Sequence, residues 1–402
     1  MGKNIFTHYS YAAETKKREI SFEHSSSGEV RASKTVAEKA RQQATETNKL
    51  DPSVDPAVQA IHRSLIRFEP HGEKFRVTVG CPMNIESVCD VTGSMGENVQ
   101  IMFGVLPETY DLIAKALPGY DPQLSLGVFG DVVDDYVLMR PQFEMTAEKI
   151  VEYCSHLFQS GTGGDSPEDP QYAMYGAAYL TNAYVNRIGL KGYHFLITDA
   201  PMHGTLSLST LKRVFGHNVL ELVAENNHQD AAEVAAIDPA IKGLCNAALE
   251  GLTGREIRDL EMGQLHQDLS KIYHAFLIMV GDQSYDCWKE LYDKNHTIHI
   301  GSTRYLPQVQ AAIIGLTEAT IEPCDIEQFL VNSQVPKNQA QELTRQLLKV
   351  PYGEQRRLEE TSGLKIPKKG DLFASKQDLQ PCGFIDDDVA NKVEDVPSGT
   401  WL

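Results

Sequence analysis

The sequence predicts an α/β fold: a doubly wound, mostly parallel sheet with one antiparallel edge strand, helices on both faces, and helical extensions at both ends. Three observations carry this prediction. Short apolar runs alternate with helix-length amphipathic stretches from about residue 70 to about residue 320. The helical stretches are long enough to serve as the crossover connections that parallel neighbours require. One pair of strands is instead separated only by the acidic turn Gly130-Asp131-Val132-Val133-Asp134-Asp135, which suits an antiparallel hairpin.

Taken in order, residues 1–69 form a polar N-terminal extension. Within it, 37–50 read as a polar helix and 55–68 as an amphipathic one, with Val58, Ile61, Leu65 and Ile66 on one side. Strands are expected at 75–79, 85–90, 124–130, 136–141, 193–199, 275–281 and 297–301, with 136–141 as the antiparallel edge. Helices are expected at 97–117, 146–158, 170–187, 207–225, 259–273, 284–294 and 307–318. These elements define a domain over 70–322, interrupted by a helical insertion at 228–258. Residues 323–402 then hold two short helices, 325–333 and 338–350, and an acidic tail rich in Pro and Gly that is expected to be loosely ordered.

Bulk chemistry narrows the function. The 402 residues carry 55 acidic against 37 basic side chains, a formal charge of -18 that repels phosphate backbones, so no nucleic-acid partner is expected. Such a surface suits solubility, cation capture or a basic protein partner. No apolar run reaches the roughly 20 residues of a membrane helix, nor does the N-terminal stretch contain a signal-peptide core, so no membrane partner is expected. The seven cysteines, at 81, 89, 154, 245, 287, 324 and 382, are scattered and form no CxxC pair, which points to free thiols and a cytoplasmic location. Neither GxGxxG nor GxxxxGK[ST] occurs, so no nucleotide loop is indicated.

In open α/β sheets, ligands sit at the carboxyl ends of the strands near the point where strand order reverses. Three oxygen-rich turns fall at such ends. Asp90-Val91-Thr92-Gly93-Ser94-Met95 lies between a strand and a helix, so one carboxylate and two hydroxyls at alternating positions can face one point. Gly163-Gly164-Asp165-Ser166-Pro167-Glu168-Asp169 precedes the helix at 170, and Thr198-Asp199-Ala200-Pro201 closes an apolar strand. Hard oxygens without thiol or imidazole suit Mg2+, Mn2+ or Ca2+ and not zinc. Thr92 and Ser94 also fit a helix N-cap. Glu168 and Asp169 fit the negative charge that a helix N-terminus favours. Asp131, Asp134 and Asp135 fit a hairpin turn, with a supporting place beside the site open to Asp131.

Together these turns resemble the von Willebrand factor A family with its metal-ion-dependent adhesion site. The Asp90–Met95 hexapeptide matches the first DxSxS-type element in its threonine-bearing form, and Ile197-Thr198-Asp199-Ala200 matches the last. The middle loop usually supplies a threonine; here it resembles the GGDxPE version of hemicentins and of A domains associated with alpha-kinases. The resemblance spans about residues 70 to 320. It implies the metal ligands Asp90, Thr92, Ser94, Asp165 and Asp199, with Thr162 a rival to Asp165. With Asp165 the site holds three carboxylates, which tightens metal binding and weakens the pull on an acidic side chain of a protein partner.

The resemblance implies a divalent-cation-dependent protein-interaction module, not an enzyme. Intracellular A domains of this kind serve as scaffolds or regulatory subunits, some beside ATP-driven remodelling machines. Two alternatives stay open: a structural A domain without a ligand, and a phosphotransferase of haloacid-dehalogenase type using Asp90 and Mg2+. Against the phosphotransferase, the acidic Asp131–Asp135 motif comes too early in the chain and Thr92 stands where a second acid is usual.

Overall fold

The computed structural model of the chain describes residues 26–64, 67–159, 167–187, 190–224, 226, 260–355 and 368–374. Eleven strands are found among them: β1 His62–Arg63, β2 Arg67–His71, β3 Lys74–Val79, β4 Pro82–Asp90, β5 Asp121–Phe129, β6 Leu138–Met139, β7 Thr181–Asn182, β8 Gly192–Thr198, β9 Tyr273–Val280, β10 Thr297–Ile300 and β11 Leu372–Phe373. The helices used below are α1 Ser26–Thr47, α2 Glu97–Val105, α3 Thr109–Ala116, α4 Ala147–Cys154, α5 Gln171–Tyr179, α6 Tyr184–Arg187, α7 Leu208–Phe215, α8 Met262–Ile272, α9 Asp286–Leu291, α10 Leu306–Thr317, α11 Ile326–Asn332 and α12 Lys337–Leu347.

The central sheet has the order β10-β9-β8-β4-β5-β6. Every neighbouring pair is parallel except β5 and β6, which are antiparallel. This is the doubly wound α/β architecture that the sequence predicts, with the antiparallel edge where the acidic turn places it. The strands read as apolar runs because both faces are covered. Met83, Ile85 and Cys89 of β4, with Tyr193, Phe195 and Ile197 of β8, pack in one core with α2, α3 and α10. Val88 of β4, Leu196 of β8 and Leu277 of β9 face the other core, built with α5, α7, α8 and Trp288 of α9. Ile326 and Leu330 of α11 and Ala340, Leu343 and Leu347 of α12 belong to the first core.

Chain order reverses at β4: the chain moves to β5 and β6 on one side, then crosses to β8 on the other. The crevice for a ligand therefore opens between the carboxyl ends of β4 and β8. At the opposite, amino ends of the two strands, Gly192 allows their close approach: a Cβ there would lie 2.6 Å from the Asn84 carbonyl oxygen.

Four expectations are corrected. The described residues of 55–68 do not form an amphipathic helix, and Leu65 and Ile66 lie outside them. The Asp51 and Asp55 carboxylates accept from the main chain of Ser53 and Ala57, fixing local turns. The His62 and Ser64 amides then donate to the Leu180 and Asn182 carbonyls, pairing β1 with β7. Val58, assigned to an apolar helix face, is exposed. Residues 75–79 are a strand, but not of the main sheet: β3 pairs antiparallel with β2 through a tight turn at Gly72, and with β11. The helix expected over 97–117 breaks into α2 and α3 at a short turn containing Pro107, which lacks the amide a continuous helix needs. That expected over 170–187 ends at Tyr179 and resumes only for the single turn of α6, because β7 is drawn into pairing with β1. Leu372 and Phe373 of the acidic tail form β11, while the rest of the tail from 375 and the insertion at 228–258 lie outside the described residues.

One polar cluster is sealed inside. Arg140, just after β6, and Glu86 on β4 are both fully buried. The guanidinium donates to the Glu86 carboxylate through Nε at 2.6 Å and Nη2 at 2.9 Å, and Nη2 also donates to Thr181 Oγ1 at 2.8 Å. The cluster ties the edge hairpin to the central strand and to β7.

Candidate functional site

The turn after β4 begins with the Asp90 carboxylate, which is completely buried at the strand end. Its Oδ1 accepts from the Thr92 amide at 2.8 Å and the Thr92 hydroxyl at 2.6 Å, while Oδ2 accepts from the Thr198 hydroxyl at 2.6 Å. Thr92 Oγ1 stands 3.3 Å from Ser94 Oγ, and the exposed Ser94 hydroxyl donates to Asp199 Oδ1 at 2.7 Å. Asp90, Thr92, Ser94 and Asp199 are therefore brought together by the ends of β4 and β8, at the switch point of the sheet. Neither hydroxyl caps the helix: Thr92 makes no side-chain cap bond, and α2 starts only after Gly96, at φ 51°. Asp165 and Thr162 lie outside the described residues.

The loop after β8 is held from behind. Tyr285 donates its hydroxyl to the Asp199 carbonyl at 3.1 Å, and the Trp288 indole donates to the Ala200 carbonyl at 2.8 Å. Helix α9 thus fixes the main chain that carries Asp199.

Two residues next to this cluster are placed differently from the sequence reading. Glu168 precedes the N-terminus of α5 as expected, but it is buried and held by further contacts. Its amide donates to the Pro201 carbonyl at 2.9 Å and its carbonyl accepts from the His203 amide at 2.8 Å, a parallel bridge to Met202 beside the third loop. Its side chain is buried and meets the Thr92 hydroxyl. Asp169 accepts from the Val132 amide at 2.8 Å and from Gln171, so it ties the middle loop to the acidic turn after β5. Asp131 in that turn is buried, accepts from the Val133 amide, and acts electrostatically on Glu168 and Asp169. No local pattern reveals these placements; the nearest signal is the crowding of acids in 163–169.

Gathering carboxylates under cover raises their proton affinity. Burial pushes Asp90 up to about 6, against the hydrogen bonds from Thr198 and Thr92. Burial, then the charges of Asp90, Asp131 and Asp134, pushes Glu168 up to about 8. Burial also raises Asp169 to about 6. In the folded, metal-free protein these groups keep protons that the unfolded chain releases near pH 4, so the native state binds more protons between about pH 4 and about pH 8. Stability from this source is full below that window and is lost as pH rises through it. Burial holds His62, His194 and His266 below their usual range, which adds stability of the opposite sign as pH rises to about 6.5. The melting temperature of metal-free protein is therefore expected to fall from about pH 6.5 to about pH 8, and saturating Mg2+ is expected to flatten the decline. Differential scanning calorimetry with and without Mg2+ checks both.

The donor set fits a hard divalent cation. Adjacent oxygens around an ion at about 2.1 Å lie roughly 3 Å apart. The Asp90–Thr92, Thr92–Ser94 and Ser94–Asp199 pairs, at 2.6, 3.3 and 2.7 Å, have that spacing. Glu168 Oε2 is buried without a hydrogen-bond partner. Among the described residues no three His, Cys, Asp or Glu side chains close into a ready cage; hydroxyls stand between the carboxylates. Asp90, Thr92, Ser94 and Asp199 would hold the ion, which would supply a positive centre able to take an oxygen from outside.

No known family's profile matches the chain, and no curated protein sequence is similar to it. Solved structures are similar at low level. Proximal thread matrix protein 1 from the mussel byssus has 12% identity over 59% of this chain and 48% of its own, with a TM-score of 0.32. The same protein with a zinc-occupied MIDAS motif has 13% identity, covers 60% of this chain and 46% of that one, and also has a TM-score of 0.32. The pilus adhesin SpaC from Lactobacillus rhamnosus GG has 10% identity over 63% of this chain and 34% of its own, with a TM-score of 0.37. The chain thus spans about half the length of the mussel protein.

Proposed function

We propose that this chain is a divalent-cation-dependent protein-interaction module of von Willebrand factor A type, acting inside the cell as a scaffold or regulatory subunit. The observation that carries the reading is the meeting of Asp90, Thr92, Ser94 and Asp199 at the switch point, with Ser94 exposed and Asp199 half-buried at its mouth. A cation there touches protein on one side and an incoming oxygen on the other. Mg2+ is the proposed ion, with Mn2+ or Ca2+ able to replace it.

The interaction reading is favoured over phosphoryl transfer by the surroundings of Asp90. Its hydrogen-bond donors are Thr92 and Thr198 and neither a lysine nor an arginine, whereas phosphoryl transfer uses such a basic side chain beside the metal to neutralise the transferred group. The free thiols Cys81, Cys89, Cys154, Cys287 and Cys324 support an intracellular setting. The partner is a protein that offers an oxygen ligand, and a multiprotein assembly driven by an ATP-dependent machine is a fitting context.

Calorimetric titration of Mg2+ into metal-free protein tests the reading. One site is expected, and it is lost in Asp90→Ala. A partner cross-linked in Mg2+ should be released by chelator and missed by Asp90→Ala. A wild type that takes up no ion returns the chain to a bare scaffold.

A further inference from the structure

Glu168 is held where its sequence position does not suggest. The parallel bridge to Met202 is made by main-chain atoms alone, and it sets the residue against the loop that carries Asp199. The residue is 3% exposed. It meets the Thr92 hydroxyl, the same atom that bonds Asp90 and lies beside Ser94, so it reaches the hub of the oxygen cluster. Its second oxygen, Oε2, is sealed from solvent and accepts no hydrogen bond. The charges that act on it, from Asp90, Asp131 and Asp134, are all negative.

A buried carboxylate oxygen normally has a donor or a counter-ion, because losing water without replacement is costly. Here the fold surrounds it with more acid. A cation resolves that conflict. We propose that Glu168 is an oxygen ligand of the divalent cation and supplies the middle-loop carboxylate that the sequence reading gives to Asp165. This rests on the metal-dependent reading above and sharpens it. Asp90, Glu168 and Asp199 would then bring three negative charges to a doubly charged ion, leaving the centre with a net charge of about -1 before any partner arrives. The open position therefore favours a neutral oxygen, a main-chain carbonyl or a hydroxyl, over a partner's carboxylate.

The test titrates Mn2+ into metal-free wild type, Glu168→Gln and Glu168→Asp, and reads water-proton relaxation for the number of waters on the bound ion. The Gln variant keeps the size and the main-chain bridge, and the Asp variant keeps the charge but withdraws the oxygen by one methylene. Both should weaken Mn2+ by about 10-fold or more and should add a bound water. Wild-type affinity and hydration in Glu168→Asp would show that charge alone matters and would overturn the ligand assignment, as would unchanged binding in Glu168→Gln. Wild type that binds no Mn2+ would overturn the metal reading itself, a result distinct from metal uptake that ignores Glu168. Melting of each metal-free variant confirms the fold, and if Glu168→Gln does not fold, Glu168→Asp decides alone.

Discussion

Asp90→Asn is expected to lower divalent-cation affinity by more than about 100-fold while raising the melting temperature of the metal-free protein at neutral pH. The two effects have one cause. Asp90 is fully buried and its carboxyl is pushed up to about 6 by that burial, so ionising it inside the fold is costly. Asparagine keeps the oxygen that accepts from the Thr92 amide, and its amide group can donate to Thr198 where the carboxylate now accepts. The hydrogen-bond frame survives and the buried charge disappears. Calorimetric Mg2+ titration reads the first effect and a thermal melt in chelator reads the second. A metal-free variant that melts lower than wild type would show that Asp90 stabilises the turn as a charge, and the trade-off between stability and ion binding would not hold.

Arg140→Met is expected to cost about 3–5 kcal/mol of stability. The substitution removes one member of a fully buried pair and leaves Glu86 without its guanidinium. Thr181 Oγ1 also loses its donor, so the junction between β6, β4 and β7 loosens at once. The double variant Arg140→Met with Glu86→Leu should recover most of the loss, because the desolvated charges go together. Urea midpoints for the two single variants and the double complete the cycle. Additive losses would show that the pair is not coupled. The cluster lies below the metal-site end of β4, four residues before Asp90, so cation affinity should be kept wherever the variant folds.

How much of this was legible beforehand differs between sheet and site. The main strands announced themselves because both faces are covered: Phe195–Ile197 and Phe276–Val280 are apolar runs, Leu124–Phe129 is one but for Ser125, and in β4 Ile85, Val88 and Cys89 flank the buried Glu86 and Ser87. The pairing of β1 with β7 was not legible. His62 and Thr181 are far apart in sequence, each belongs to a stretch with helical patterning, and only the tertiary meeting diverts both. At the site, Asp90, Thr92, Ser94 and Asp199 follow strands directly, so the sheet alone places them at one edge. Glu168 and Asp131 depend on links made across loops, the bridge to Met202 and the bond from Val132 to Asp169. A carboxylate before a helix reads locally as a terminus charge. Its burial is decided by the loop laid over it.

The indole bond to the Ala200 carbonyl has an optical consequence. Trp288 is one of two tryptophans in the chain, and the other, Trp401, can be replaced by Phe. Its ring nitrogen is tied to the residue after Asp199, so any shift of that loop on loading the ion stretches or turns the bond that polarises the indole. The emission of a single buried fluorophore is thus expected to report from directly behind the proposed site, a label-free readout of whether an ion is taken up.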